Sequence, residues 1–357
     1  MGAVQTTVAG HLGWSRARVR AWSLGLGLAT LVLIVLALLV GPDGLVLADG
    51  ARVVSALLAG EPDHPLVQIL VHLRLPRVLA AVAAGVALGL SGLALQTALG
   101  NPLASPYTLG IAQAAAFGAA FAIIVFGANQ VGSLHGLAAQ LVLAGSAFIA
   151  AGLALAAILA LLIVGRLSPY AVVLAGVGLG ALFQSGTMLL QFFGTDVDVA
   201  ATLFWTFGDL SKAGWRELVV MCAVSVLGLA VFRLQAWDLN ALAWGDVVAR
   251  SLGTPVAAIR AIHLGLACLM AAVVTAFLGI IGFVGLVAAH LARLLIDDDH
   301  RGLVPVTALI GALLMLGSDI LSRVIMPPVA LPVGIVTAFL GVPLFLVLLI
   351  RRARRWT

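Results

Sequence analysis

Residues 74–110 read RLPRVLAAVAAGVALGLSGLALQTALGNPLASPYTLG. Arg74 and Arg77 open the stretch, an apolar run fills 75–98, and Pro102 and Pro106 break the chain just after it. A helix needs about 20 mostly apolar residues to cross a bilayer, and this run is long enough. It lacks the alternation over about ten residues that a membrane β-barrel strand requires. On either side of it, comparable runs lie at 24–40, 106–127, 137–164, 170–193, 216–233, 257–281, 283–296, 303–325 and 333–350. The chain therefore reads as an all-α integral membrane protein, a ten-span helical bundle forming one transmembrane domain over 1–357. The eighth run is short, and the join at Gly279–Gly285 (GIIGFVG) also admits a count of nine.

Composition leaves few other classes. Of 357 residues, 63% are apolar and 9% charged, and the mean hydropathy is +1.20. A soluble domain carries roughly 45–50% apolar and about 25% charged residues. A cytosolic enzyme, a disordered chain and a nucleic-acid binder are excluded, although the isoelectric point is near 10.2. The basic balance has a membrane explanation. Ten crossings put both termini on one side. Arg16, Arg18, Arg20, Arg166, Arg233, Arg250, Arg260, Arg293, Arg301, Arg351, Arg352, Arg354 and Arg355 then share that side. Arg52, Arg74, Arg77, Lys212, Arg216 and Arg323 fall on the other. This is the positive-inside pattern, with both termini cytoplasmic. The run over 21–40 exceeds the usual 7–15 residues of a signal-peptide core, so a retained first helix is expected.

Three segments between runs are long enough to carry a role. In 41–74, Gly50–Gly60 (GARVVSALLAG) reads as a short amphipathic helix on the membrane surface. In 194–215, Val197–Phe207 reads as helical, ended by Gly208. In 234–256, Leu239–Ala243 and Gly245–Leu252 read as two short helices meeting at Gly245 and closed by Gly253 and Pro255. Leu239, Leu242, Val247, Val248 and Leu252 make that piece apolar, and Arg250 is its one basic residue. A protein partner suits it better than an anionic lipid surface. Small-xxx-small pairs at Gly85/Gly89 and Gly176/Gly180 read as tight helix packing.

Little in the chain could drive transport or catalysis. A phosphate-binding P-loop needs Gly-x-x-x-x-Gly-Lys-Ser/Thr, and the one lysine, Lys212, stands on the outer side. An ion-coupled carrier keeps ionisable groups in the bilayer, yet the runs are nearly devoid of them. Asp319 stands four residues before Arg323, the spacing of a helical ion pair. His263 and His290 read as hydrogen-bonded structural residues, and Asp297, Asp298 and Asp299 as a solvated inner loop. Cys222 and Cys268 match no disulfide or metal spacing. There is no nucleophile–base set, paired-carboxylate site or metal-ligand cluster, so no enzyme is expected.

RLPR followed by NPLASP across one span resembles the permease family of type II ABC importers, which carry iron–siderophore complexes, haem or cobalamin. The likeness continues through 204–215 (FWTFGDLSKAGW), 239–253 (LNALAWGDVVARSLG), 279–293 (GIIGFVGLVAAHLAR) and 317–343 (GSDILSRVIMPPVALPVGIVTAFLGVP). It implies a type II permease fold in a bacterial inner membrane, with the path at the interface of a homodimer or of two related subunits. It also implies two cytoplasmic ATPase subunits and a periplasmic or lipoprotein binding protein. ATP and magnesium would sit on the ATPase, leaving no cofactor and no metal for this chain. By the same resemblance, Arg74, Arg77 and Arg323 accept acidic side chains of the binding protein. Asn101 and Leu103 form a cytoplasmic gate. Leu242, Asp246, Ala249, Arg250 and Leu252 couple to the ATPase. The sequence departs from the family where Val247 follows Asp246, where Ser168 precedes Pro169 and Tyr170, and where Ala289 precedes His290. NPLASPYTLGI looks most like iron–siderophore members, so an iron chelate ranks first, haem second and cobalamin third. A stand-alone ion-coupled carrier is the alternative of another class, and a receptor or scaffold without transport is a third.

Overall fold

The structure, a computed structural model, describes the backbone of residues 2–41, 44–45, 52, 55–56, 64–128, 136–165 and 167–353. Side chains are described over 17–40, 52, 55–56, 64–128, 136–165 and 167–347. Most of the expected surface helix at Gly50–Gly60 and several charged residues of the topology argument (Arg166 and Arg354 among them) lie outside these ranges.

In chain order the helices are α1 (Gly2–Leu39), α2 (Pro65–Ala98), α3 (Ile111–Val125), α4 (Gly136–Ile163), α5 (Pro169–Phe193), α6 (Asp196–Thr206) and α7 (Trp215–Leu234). They continue as α8 (Ala236–Ala243), α9 (Asp246–Ser251), α10 (Val256–Leu278), α11 (Val284–Leu295), α12 (His300–Val324) and α13 (Val333–Ala353). The strands among the described residues are a two-residue pairing of Val40–Gly41 with Gly44–Leu45. Seven helices are long and apolar enough to cross a membrane, and α3, α11 and the described part of α13 are shorter apolar ones.

Every apolar run of the sequence is helical, with informative shifts at the ends. The second run starts ten residues early, at Pro65, where proline suits the first helical position and His64 Nδ1 accepts from the Leu66 N–H. The third starts late, at Ile111, because Pro106 and the left-handed Gly110 hold 101–110 in turns. GIIGFVG is a true break. Gly279 and Phe283 both have positive φ, so α10 and α11 are separate helices, and the described residues form ten apolar helices rather than nine.

Helix α2 is the axis of the bundle, packed by α12, α10, α11 and α7. Its core face is mostly alanine and glycine, including Ala80, Ala84, Ala87 and Ala94. Without a hydrophobic drive between helices in lipid, close backbone approach supplies the packing. At Gly85 and Gly311 the backbones of α2 and α12 touch, and a Cβ on either would strike the other's carbonyl. Gly176 packs the same way on Leu109. Two hydroxyls also tie neighbours to or from the axis: Ser91 Oγ donates to the Ala267 carbonyl at 2.6 Å, and Ser225 Oγ to Ala83 at 3.0 Å. Helices α4, α5 and α7 turn much apolar surface outward, as lipid-facing helices do.

Candidate functional site

One end of the bundle collects the predicted docking arginines. Arg323 Nη2 donates to Asp319 Oδ2 at 2.6 Å, the expected i,i+4 pair. Its Nη1 donates to the Ala37 and Val40 carbonyls at 2.9 and 2.6 Å. Arg77 Nε, from α2, donates to Asp319 Oδ1 at 2.8 Å. Asp319 is fully buried and Arg323 is 6% exposed, so one carboxylate holds two arginines and three helices meet on them. The last carbonyls of a helix lack intrahelical partners, and a guanidinium satisfies them well. Arg323, expected to meet the binding protein, has Nε, Nη1 and Nη2 bonded within the chain. Arg77 shares that buried carboxylate. Arg74 is half-buried with Nη1 on the Leu38 carbonyl at 2.9 Å.

At the opposite end, α2 stops at Ala98 and the chain turns through Gly100, with φ at +55°. Asn101 Oδ1 accepts from the Leu103 N–H at 2.9 Å. Ser105 and Thr108 bond each other reciprocally, Thr108 Oγ1 accepting from the Ser105 N–H at 2.9 Å. The predicted gate residues thus share one pinned turn. Asn101 is committed to shaping it, and Leu103 is exposed. Ser168 caps α5 by accepting from the Ala171 N–H, which leaves Tyr170 exposed on its first turn.

Beside that turn lie α8 and α9. Gly245 has φ at +96°, a conformation that side chains rarely adopt, and it makes the corner between them. The two-helix reading of this segment is what the structure has. Its contact residues divide differently from expectation. Leu242 (5% exposed) and Ala249 are buried within the chain, in a small cluster with Ala241, Val256 and Ile259. That cluster packs α8 and α9 on the start of α10, and Leu242 also borders the open cleft beside α8. Val247 is 81% exposed, and Trp244 and Leu252 also face outward, so these carry the free apolar surface. Arg250 is exposed, 3.8 Å from Asp246.

Several residues that tie this segment down escaped the sequence reading. Arg260 Nη2 and Nη1 donate to Asp246 Oδ1 and Oδ2 at 2.6 and 3.2 Å, and its Nε donates to the Ala98 carbonyl at 2.7 Å. The hydrogen bond from Arg260 holds the Asp246 carboxyl below its ordinary range. Asn240 Nδ2 donates to Asp299 Oδ1 at 2.9 Å, and its Oδ1 accepts from the His300 N–H at 2.8 Å. The His300 ring reaches Thr97 Oγ1 of α2 at 2.8 Å. Asp299 is therefore a cap on α12 and a partner of Arg301, while Asp297 and Asp298 are the solvated acids expected of all three. Burial alone would raise the Asp299 carboxyl, but hydrogen bonds from Arg301 and Asn240 outweigh it and bring it down to about 2. A lone arginine one turn into an apolar run was the available signal for Arg260. Its partner, 14 residues back across a proline, was not.

Asn240, Asp299, His300 and Arg301 border an open cleft of about 1140 Å³ between the turn after α2 and α8, lined among others by Gln96, Pro102, Trp237, Trp244 and Arg293. His263 is buried on a span, with Nδ1 on the Ile259 carbonyl at 2.7 Å and its ring stacked on Phe232, in keeping with a structural role. Cys222 and Cys268 are both free.

A bundle of apolar helices around one small-residue axis, with a pinned turn and an exposed helical pair at one end, has the build of a membrane permease subunit. The comparisons with known proteins carry this further. The FecCD transport family profile matches residues 29–351, and the chain belongs to that family. A Methanocaldococcus jannaschii protein described only as an ABC transporter permease is 44% identical over 308 residues, 85% of this chain and 87% of that one. The Fe(3+)-citrate import system permease of Bacillus subtilis is 36% identical over 332 residues, 92% and 95% of the two chains. The vitamin B12 import system permease of Klebsiella pneumoniae is 34% identical over 338 residues, 95% and 96%. An inward-facing structure of a metal-chelate type ABC transporter superposes with a TM-score of 0.77 at 29% identity, over 93% of this chain and 99% of that one. The chain is an ABC importer permease, a transport subunit and not itself an enzyme.

Proposed function

We propose that this chain is the conduit of an ATP-driven importer for an iron chelate, working as one of two permease subunits above two cytoplasmic ATPases and below a substrate-binding protein. The observation that carries the reading is the α8–α9 pair, which turns Trp244, Val247 and Leu252 outward beside the turn that ends the central helix. Exposed apolar side chains on so small an element suit a protein partner. The arginine asymmetry of the sequence supports placing this end and both termini in the cytoplasm, with all ten apolar helices crossing the bilayer. In this reading Asn101 and Leu103 gate the path, Asp246, Arg250 and Leu252 work with Trp244 and Val247 at the ATPase, and Arg74 is the arginine best placed for the binding protein. ATP and magnesium are held by the ATPase.

The Fe(3+)-citrate relative and the metal-chelate transporter favour an iron chelate. The vitamin B12 relative makes cobalamin the alternative cargo ahead of haem. Proteoliposomes holding the chain with the ATPase and binding protein from its own gene neighbourhood test the proposal. ATP-dependent accumulation of a ferric chelate is expected. Accumulation by the chain alone on an ion gradient would establish the carrier alternative instead.

A further inference from the structure

The permease reading says what α8 and α9 touch, but not how their movement would reach the path. From the contacts of one side chain we infer that Arg260 is the positioning residue that couples α9 to the gate turn. Its guanidinium spends all three kinds of nitrogen on two elements: Nη1 and Nη2 on the Asp246 carboxylate at the first residue of α9, and Nε on the Ala98 carbonyl at the last residue of α2. Asn101 is three residues beyond Ala98, so the fork spans from α9 to the start of the turn. A guanidinium is planar and its donors are fixed relative to one another, so a displacement of the carboxylate carries the carbonyl with it.

A merely solvated arginine at a helix end would extend toward water or headgroups. Arg260 instead has a side chain only 11% exposed and folds back onto Ala98. Its partner α9 carries Val247 beside Asp246, and Val247 is 81% exposed. Helix α8 has a separate anchor, through Asn240 and His300 to Thr97, so the two short helices reach α2 by different routes. Loss of the Arg260 fork would therefore remove the polar link of α9 to α2 and leave that of α8 in place.

This inference rests on the proposed function, and its test separates the two. Spin labels replace exposed Tyr107, in the turn, and exposed Ser251, at the end of α9, in a chain carrying Cys222→Ser, assembled with its ATPase in nanodiscs. Their distance distribution is measured with and without Mg-ATP in the Arg260 chain and in Arg260→Lys, which keeps the charge and loses the fork. The expected result is one narrow distribution in the Arg260 chain in both states. In the variant, Mg-ATP broadens it at least twofold, with ATPase still bound and ATP hydrolysis within about twofold of the parent. Equal widths with the ATPase bound would overturn the inference and leave the permease reading intact. Loss of ATPase binding in the variant would also overturn it, because Arg260 would then only hold the docking surface in shape. An Arg260 chain that binds no ATPase overturns the permease reading and this inference together. Should Arg260→Lys fail to reach the membrane, Arg260→Gln is measured against the same criteria.

Discussion

The two ends of the bundle use the same chemistry, arginine on aspartate, to opposite effect. At the α1–α2–α12 end, Asp319 is sealed away and holds Arg77 and Arg323 within helices that pack directly on one another. At the α8–α9 end, Asp246 is partly exposed and Arg260 joins it to the Ala98 carbonyl at the end of α2. A buried carboxylate held by two arginines favours one arrangement. A partly exposed one, between a short surface helix and the end of α2, stays open to water on one side. Charge pairs at helix ends thus say little about role until their surroundings are known.

Three substitutions put this contrast at risk. Asp319→Ala has the largest expected effect. It strands two guanidiniums at a buried site and costs about 3–5 kcal/mol, read as loss of folded protein from detergent extracts on heating. A thermal midpoint close to that of the parent would mean that this end is not sealed. Leu252→Glu is expected to leave thermal stability within about 0.5 kcal/mol, because the side chain is exposed. It should reduce co-purification of the ATPase about tenfold, or about 1.4 kcal/mol; full retention would remove Leu252 from the docking surface. The smallest effect concerns Asp299. Its carboxyl titrates near 2 against an ordinary 3.8, so its contribution is complete above the ordinary value and is lost as pH falls from about 4 toward 2. Asp299→Asn should flatten the thermal midpoint across that window, modestly because the group is partly exposed. An unchanged slope would detach Asp299 from the α8–α12 latch.

Much of this was legible in the sequence, and the reasons are local. Helix ranges follow from apolar runs that only a helix can carry through lipid, since every backbone group must be satisfied within its own segment. Gly245 marked the corner between α8 and α9 because glycine alone takes its dihedral freely. Asp319 and Arg323 were legible as a pair because four residues is about one helical turn. Arg77 was not, because it is 242 positions from Asp319 in the chain. The burial of Leu242 and Ala249 within the chain was not legible for a related reason. On helices of eight and six residues, a pattern of apolar side chains does not tell the face that packs on Val256 and Ile259 from the face left open.

The order of residues alone makes this a helical membrane protein of ten apolar runs, with a broken turn after its second run and a short helical pair at one end. Those features depend on residues close together in the chain, and the solvent that surrounds them imposes the rest. Packing in three dimensions settled which arginines are spent inside the protein, which apolar side chains of α8 and α9 remain outside, and that Arg260 reaches the end of α2. Such choices arise when distant segments are laid side by side, and a charged or apolar group then takes whichever partner the packing brings within reach.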